Sequence, residues 1–241
     1  MDTSALVSTL IDGITTDPTA GNCLYIDLEG VNLSRHGSIS IITILLQSSL
    51  SSQQVYLVDV HTLGMLTFTA IGKNGETLKS VFESASILKV FFDVRNDSDA
   101  LFSHYGIALQ GIEDVQLMEN ASRAKRSKEF LAGLARCIEY DTHGSQKDTW
   151  KAVKARGELL FAPEKGGSYE VFNRRPLTSE MIAYCIGDVM HLPALRSFYW
   201  NRLTPDWKVK VGDETINRVR ESQSPNYQPQ GPTKRYGPWG K

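Results

Sequence analysis

The first part of the chain combines one helical pattern with several apolar runs that are typical of strands. Residues 4–13 place apolar side chains at helical spacing and end in a glycine, which predicts a helix. Runs rich in β-branched and aromatic residues then predict four strands. These runs are NCLYIDLEG (22–30), GSISIITILL (37–46), QQVYLVDVH (53–61) and ILKVFFDV (87–94). Short connections join the first three, as expected for antiparallel neighbours.

After the fourth run the pattern becomes mostly helical. One helix is predicted before it, in NGETLKSVFESA (74–85), and this makes a strand–helix–strand crossover. Strands followed by helices favour a mixed sheet covered by helices in one α/β domain over residues 1–221. The further predicted helices are DSDALFSHYG (97–106), VQLMENASRAK (115–125), SKEFLAGLARCIE (127–139), TSEMIAYCIGDVMHL (178–192) and PALRSFYWNRL (193–203).

The last stretch of the sequence, residues 222–241, is dense in proline, glutamine and glycine. Such a composition cannot bury enough apolar surface to offset the entropy lost on ordering. We therefore expect a flexible tail, free or pinned to the surface of the domain.

Composition and charge limit the classes of partner. The chain has 241 residues, 41% of them hydrophobic, and a formal net charge of -1, so no global charge draws it to nucleic acid or to a membrane surface. Any anionic partner must be held locally. Three scattered cysteines and the lack of a basic, apolar leader or a long apolar run predict an intracellular protein, cytoplasmic or nuclear, without a membrane.

Two acidic residues, Asp27 and Glu29, lie inside the first predicted strand. Because side chains in a strand repeat every two residues, both carboxylates point to one face, about 6.5 to 7 Å apart along the chain. Like charges in a half-buried place raise each other's pKa unless a cation neutralises them, and a hard divalent cation is the usual one. The alternative is a solvated edge strand with an acidic outer face.

A second acidic cluster, Asp93, Asp97 and Asp99, follows the fourth predicted strand. Helix capping alone would explain acidic residues at such a junction. Asp97 differs from Asp99 because it shares a helical face with Leu101 and Tyr105, which should look inward.

A third feature is the pair Tyr184 and Asp188 in a late predicted helix. Residues four apart stack on one face of a helix, one turn from each other. On an apolar helix both groups need partners when they are buried. Taken alone, the pair is also explained by a hydrogen bond between tyrosine and aspartate on a core helix.

Together the three clusters resemble the DEDD 3′–5′ exonucleases, in the tyrosine-bearing branch typified by ribonuclease D. The similarity covers about residues 20–204 and is strongest to small stand-alone eukaryotic exonuclease-domain proteins. The first motif, D-x-E, is Asp27-Leu28-Glu29, and the third, Y-x-x-x-D, ends at Asp188. The second motif resembles NDSDAL, where the family spacing selects Asp97, with Asp99 and Asp93 as alternatives. The stretch GGSYEVFNRRPLTSEMIAYC also resembles the approach to the third motif.

This resemblance implies a ribonuclease H-like α/β fold, with a central mixed sheet of three antiparallel strands followed by parallel ones. It implies two Mg²⁺ or Mn²⁺ ions held by Asp27, Glu29, Asp97 and Asp188, with Asp27 bridging them and Tyr184 orienting the attacking water. The expected reaction is 3′–5′ hydrolysis of single-stranded nucleic acid with a free 3′ end, RNA being favoured over DNA.

One basic segment, SRAKRSKEF, could guide the nucleic-acid backbone through Arg123, Lys125, Arg126 and Lys128. A solvated helix face or loop is the alternative. Two other functions stay open: an RNA-binding or scaffold protein with a nuclease fold but no turnover, and a metal-dependent phosphohydrolase acting on small nucleotides. The sequence indicates no particular protein partner.

Overall fold

The computed structural model describes residues 1–15, 22–49, 52–142 and 146–240. In this part of the chain a five-stranded sheet has the order β3-β2-β1-β4-β5. The β1–β2 and β2–β3 pairs are antiparallel, and the β1–β4 and β4–β5 pairs are parallel. The strands are β1 (Cys23–Glu29), β2 (Ile41–Ser49), β3 (Ser52–Asp59), β4 (Leu88–Phe91) and β5 (Ile112–Asp114). The predicted mixed sheet, antiparallel first and then parallel, is therefore confirmed.

The helices cover both faces of this sheet. They are α1 (Ser4–Thr15), α2 (Val60–Leu63), α3 (Leu66–Thr69), α4 (Leu78–Glu83), α5 (Arg95–Tyr105), α6 (Val115–Ser122), α7 (Leu134–Asp141), α8 (Gln146–Phe161), α9 (Ser179–Met190), α10 (Leu192–Trp200) and α11 (Pro205–Ser222). Short 3₁₀ helices span Pro163–Lys165, Tyr169–Asn173 and Pro232–Arg235. Strand β5 and helices α8 and α11 were not predicted.

Alternation along β1 separates two cores. Leu24, Ile26 and Leu28 point to a core that includes side chains of α1, α4 and α5. Cys23 and Tyr25 point to the opposite core, which includes α6, α7 and α10. Because strand side chains repeat every two residues, the second face is the one that continues into the two acidic residues of β1.

The sheet opens where β1 outlasts its parallel neighbour. Pairing between β1 and β4 ends at Tyr25 and Val90, whereas pairing between β1 and β2 continues to Glu29 and Ile41. The carboxyl end of β1 thus projects past β4 toward the start of α5. Carboxyl ends of strands next to such a break commonly carry the site of an α/β fold.

The C-terminal segment takes the second of the two forms expected for residues 222–241, pinned to the surface of the domain. Residues 223–240 lie against the domain, and Lys241 is outside the described residues. The backbone N–H of Leu131 donates to the carbonyl of Arg235 at 2.9 Å, and the N–H of Gly237 donates to Glu129 at 2.7 Å. The Trp239 ring meets another indole, that of Trp207, edge to face at 5.2 Å. Backbone bonding and aromatic contacts, which the composition does not reveal, supply the binding energy.

No helix in the described ranges is both long and apolar enough to cross a membrane.

Candidate active site

The acidic residues of β1 and α9 converge at the open end of the sheet. Helix α9 begins after Thr178, whose side chain caps it by accepting the backbone N–H of Met181. Its buried face then carries Tyr184 and Asp188 to the carboxyl end of β1. One carboxylate oxygen from each of Asp27, Glu29 and Asp188 lies within 4.8 Å of the other two. Three of the predicted site residues are therefore brought together from elements about 160 residues apart in sequence.

The carboxylates of this trio repel one another electrostatically. Burial, and then the charge of Asp188, raises the pKa of Asp27 to about 8. Burial and the neighbouring Asp27 raise the pKa of Glu29 well above its ordinary value. The buried Oδ2 atom of Asp27 has no hydrogen-bond partner among the described residues. A buried carboxylate oxygen without a partner is costly, and a metal ion is a common remedy.

The residues therefore fit a hard divalent cation. Carboxylate oxygens are the ligands that Mg²⁺ and Mn²⁺ prefer, and three lie close enough to share one ion. The alternative of a solvated edge strand is wrong, because β1 is the central strand of the sheet and its acidic end is only partly exposed.

Asp97 lies in the first turn of α5 and is buried, with 7% of its surface exposed. Its carboxylate does not belong to the group of Asp27, Glu29 and Asp188, whose oxygens lie within 4.8 Å of one another. Burial, and then the negative charge of Asp27, raises the pKa of Asp97 well above its ordinary value. Across the described ranges no cationic side chain lies within 4.0 Å of it.

The two alternatives for the second motif have internal partners. Asp99 accepts the backbone N–H of Arg35 at 2.8 Å and its Nε–H at 2.6 Å. Asp93 accepts two bonds from the guanidinium of Arg95, at 2.5 and 2.7 Å. Both carboxylates are neutralised by arginine, which leaves Asp97 as the acidic residue of this junction without an ion pair in the described structure.

The hydroxyl group of Tyr184 lies beside the trio. Burial, followed by the charge of Glu29, raises its pKa far above the ordinary value, so the phenol keeps its proton at neutral pH. Its ring packs edge-on against Phe161, with centroids 5.1 Å apart. The phenol is thus fixed at a position from which it can donate to, or accept from, a group held by the carboxylates.

Lys154 is a site residue that the sequence interpretation missed. Its ammonium group donates to both carboxylate oxygens of Asp188, at 2.8 and 2.7 Å, and to the hydroxyl of Tyr184 at 2.9 Å. Burial alone would lower the pKa of Lys154, but the Asp188 carboxylate outweighs this and raises it. The helical spacing of the apolar residues Trp150, Val153 and Leu160 in α8 could have revealed the helix, although not the partner of its lysine.

Close packing between α8 and α9 places this lysine. Gly157, three residues after Lys154, touches the ring of Tyr184 so closely that a Cβ there would come within 2.3 Å of a ring carbon. The backbone carbonyl of Gly187 accepts the indole N–H of Trp150 at 3.2 Å. These two contacts fix the distance between α8 and α9 along the part of the two helices that faces the site.

The predicted basic segment is only partly available for nucleic acid. Arg123 pairs with Glu119 and also donates to two backbone carbonyls, and Lys128 donates to the carbonyl of Arg123. Lys125 and Arg126 are exposed. They line a cavity of about 480 Å³ whose described walls do not include the acidic trio.

The comparison with protein-family models decides the family. A model described as 3′-5′ exonuclease matches residues 3–204, most of the chain. The chain belongs to the 3′–5′ exonuclease family. The resemblance to ribonuclease D-like DEDD exonucleases is therefore confirmed at the level of the family. Membership of the tyrosine-bearing branch stays a prediction.

Relatives agree with membership of this exonuclease family. The piRNA biogenesis protein EXD1 of Xenopus laevis is 40% identical over 199 residues, which are 82% of this chain and 41% of that protein. Among the three curated relatives it matches, the chain spans about a third to two fifths of their length.

Solved structures show the same fold. Trypanosoma brucei RNase D, in a complex with GMP, has a TM-score of 0.73 and 20% identity, covering 98% of this chain and 68% of that one. Brucella melitensis NrnC with bound Mg²⁺ has a TM-score of 0.53 and 18% identity, covering 83% of both chains.

Proposed function

We propose that this exonuclease-family domain hydrolyses single-stranded RNA from a free 3′ end, using divalent cations held by Asp27, Glu29, Asp97 and Asp188. The observation that carries the proposal is the acidic trio of β1 and α9, in which Asp188 is buried, Asp27 and Glu29 are half-buried, and the buried Oδ2 atom of Asp27 has no partner. Bound Mg²⁺ or Mn²⁺, two ions in our proposal, would supply a reactive water at neutral pH and stabilise charge on the leaving oxygen.

Each of the proposed site residues then has a separate role. Asp27 and Glu29 come from the carboxyl end of the central strand, which stays paired with β2 as far as Glu29 and gives a rigid floor for the site. Asp97, in the first turn of α5, supplies a fourth carboxylate, near enough to Asp27 for the charge of one to raise the pKa of the other. Tyr184, protonated and fixed by Phe161, orients the attacking water through its hydroxyl group.

The bond changes follow from hydrolysis of a phosphodiester. An oxygen of water bonds to the phosphorus of the last linkage, the bond from phosphorus to the 3′ oxygen of the preceding nucleotide breaks, and that oxygen takes a proton. The products are a nucleoside 5′-monophosphate and an RNA shorter by one nucleotide with a new 3′ hydroxyl. That T. brucei RNase D was solved with GMP, a ribonucleoside monophosphate, supports RNA as the substrate class.

A labelled-RNA assay tests this function. A 5′-labelled single-stranded RNA incubated with the protein and Mg²⁺ or Mn²⁺ should give a ladder that shortens from the 3′ end, and EDTA should stop it. The Asp27→Asn variant should give no ladder. A 3′-phosphorylated RNA and a DNA of the same sequence measure the requirement for the free hydroxyl and for ribose.

Each of the competing functions gives a different result. Retention of the RNA in a filter-binding assay without any shortening would replace the enzyme by an RNA-binding or scaffold protein. Hydrolysis of free nucleotides alone would replace it by a small-nucleotide phosphohydrolase.

A further inference from the structure

Lys154 holds a positive charge against Asp188, one of the trio of carboxylates proposed to bind a cation. An ammonium group has three N–H donors, and its three acceptors are the two carboxylate oxygens of Asp188 and the hydroxyl of Tyr184. No donor is left for Asp27, whose Oδ2 has no hydrogen-bond partner in the described structure. The lysine therefore neutralises one carboxylate of the trio directly and the other two only at a distance.

The same contacts set the geometry of two proposed site residues. Tyr184 and Asp188 lie one turn apart on α9, and a single ammonium group bonded to both fixes their relative orientation. The ammonium also lies 4.2 Å from the centroid of the Tyr184 ring, within the range of a cation–π contact. Lys154 thus orients both side chains with a single positive charge, which is part of what a bound divalent ion would do.

We propose that Lys154 is a resident counter-ion of this site, which a divalent cation must displace from Asp188 in order to bind. The proposal deepens the proposed function and rests on it, because it takes Asp188 as a metal ligand. Lys154 is a positioning residue here: it acts through Asp188 and Tyr184.

Two features of the structure make displacement the expected outcome. A divalent and a monovalent cation sharing one buried carboxylate repel each other strongly, because the protein interior screens charge poorly. Lys154 also has an exit: 19% of its side chain is exposed, and the next two residues of α8, Ala155 and Arg156, are exposed. Its flexible four-carbon stem lets the charge move to water without moving the helix.

Metal affinity in the absence of RNA tests the proposal. Mn²⁺ is titrated into the metal-free protein, and the unbound ion is measured by electron paramagnetic resonance. Lys154→Met keeps the aliphatic stem and removes the competing charge, so its Kd for Mn²⁺ should fall roughly tenfold relative to the parent. Lys151→Met is the matched control: it lies on the same helix, is paired with the exposed Glu139, and should leave the Kd unchanged.

A lysine that only supports the fold gives the opposite result. Loss of a purely structural contact would weaken Mn²⁺ binding in Lys154→Met or leave it unchanged, and either result overturns the proposal. Asp188→Asn separates the two levels of inference. If the parent binds Mn²⁺ equally well with and without the Asp188 carboxylate, the proposed metal site itself is wrong; if Asp188 matters and Lys154 does not, the counter-ion role alone is wrong.

If Lys154→Met fails to fold, the proposal can still be tested on the unmodified protein. Acetylation of individual lysines by an amine-reactive ester is followed by mass spectrometry with EDTA and with saturating Mg²⁺. Lys154 should be protected in EDTA and should react several times faster in Mg²⁺, whereas Lys151 should react at one rate in both. Equal protection of Lys154 under both conditions would show that it keeps its contacts when the ion is bound, and this would refute displacement.

Discussion

Gly157 of α8 lies directly against the ring of Tyr184 in α9, with no room for a methyl group between them. A Cβ at position 157 would come within 2.3 Å of the Cδ2 atom and 2.8 Å of Cγ. The position of the proposed water-orienting phenol is therefore set by a residue that has no side chain.

Gly157→Ala should consequently displace Tyr184. Overpacking of this kind costs about 1–3 kcal/mol, and we expect kcat on single-stranded RNA to fall while KM changes little. The control is Gly212→Ala in α11, where a Cβ meets nothing within 4 Å; it should keep full activity and gain about 0.5–1 kcal/mol of stability. Equal kcat for the two variants would remove this phenol from the reaction.

The second-motif assignment separates Asp97 from Asp99 by experiment. Asp97→Asn removes a proposed ligand that has no ion pair in the described structure, so activity should be lost with stability unchanged or higher. Asp99→Asn weakens a buried contact with Arg35 and should cost about 1–3 kcal/mol, with kcat retained. Urea unfolding and the RNA assay measure both. Activity in the first variant and none in the second would move the ligand to position 99.

A buried arginine braces the strand end near the site. Arg218 of α11 donates to the carboxylate of Asp114 at 2.7 Å, and both side chains are buried. Arg218→Met leaves that carboxylate without its cation and should cost about 3–5 kcal/mol of unfolding free energy. Arg220→Met, two residues later on the exposed side of α11, should change stability by less than about 0.5 kcal/mol. Similar losses of unfolding free energy in both variants would mean that the Arg218–Asp114 pair makes no specific contribution to stability.

The pairing of Asp59 with Arg175 predicts a dependence of stability on pH that does not involve the four proposed ligands. Burial by itself would raise the pKa of Asp59, but hydrogen bonds from Arg175 and Thr62 outweigh it and hold the pKa below its usual range. A depressed folded-state pKa gives stability that is complete above the unfolded-state value of about 4 and is lost as pH falls through the lower folded value.

Urea unfolding of the parent and of Asp59→Asn from pH 7 to pH 3 measures this contribution. The stability difference between them should be constant from pH 7 to about pH 5 and should shrink below about pH 4. A difference that stays constant over the whole range would show that protonation of Asp59 does not govern it.

The strands and acidic motifs could be predicted because their signals are local. The period-two pattern around Asp27 and Glu29 fixes their common face, and the four-residue spacing of Tyr184 and Asp188 fixes theirs. No local pattern shows that Lys154 meets a carboxylate 34 residues later. That contact depends on the packing of α8 on α9. The contacts that pin the C-terminal segment could not be predicted for a similar reason, since its backbone bonds to residues 129 and 131 do not depend on composition.

Removing one acidic side chain should stabilise the metal-free protein. Asp27 lies beside two other carboxylates, and one of its oxygens is buried without a hydrogen-bond partner. A neutral amide of the same shape removes the charge repulsion and the cost of burying a charged group that has no partner. In EDTA at pH 7.5, Asp27→Asn should therefore unfold at a higher Tm than the parent, by about 2–4 °C for each kcal/mol gained.

Added Mn²⁺ should reverse this order, because an ion that binds only the folded state stabilises it in proportion to its binding free energy. The parent Tm should rise with Mn²⁺ concentration, and the Tm of Asp27→Asn should stay almost constant. Glu139→Gln, an exchange of the same type at an exposed pair with Lys151, should respond to Mn²⁺ as the parent does. Differential scanning fluorimetry of the three proteins makes the comparison. A variant at position 27 that is less stable in EDTA, or that responds fully to Mn²⁺, would mean that its carboxylate is a structural residue of β1 and not a ligand.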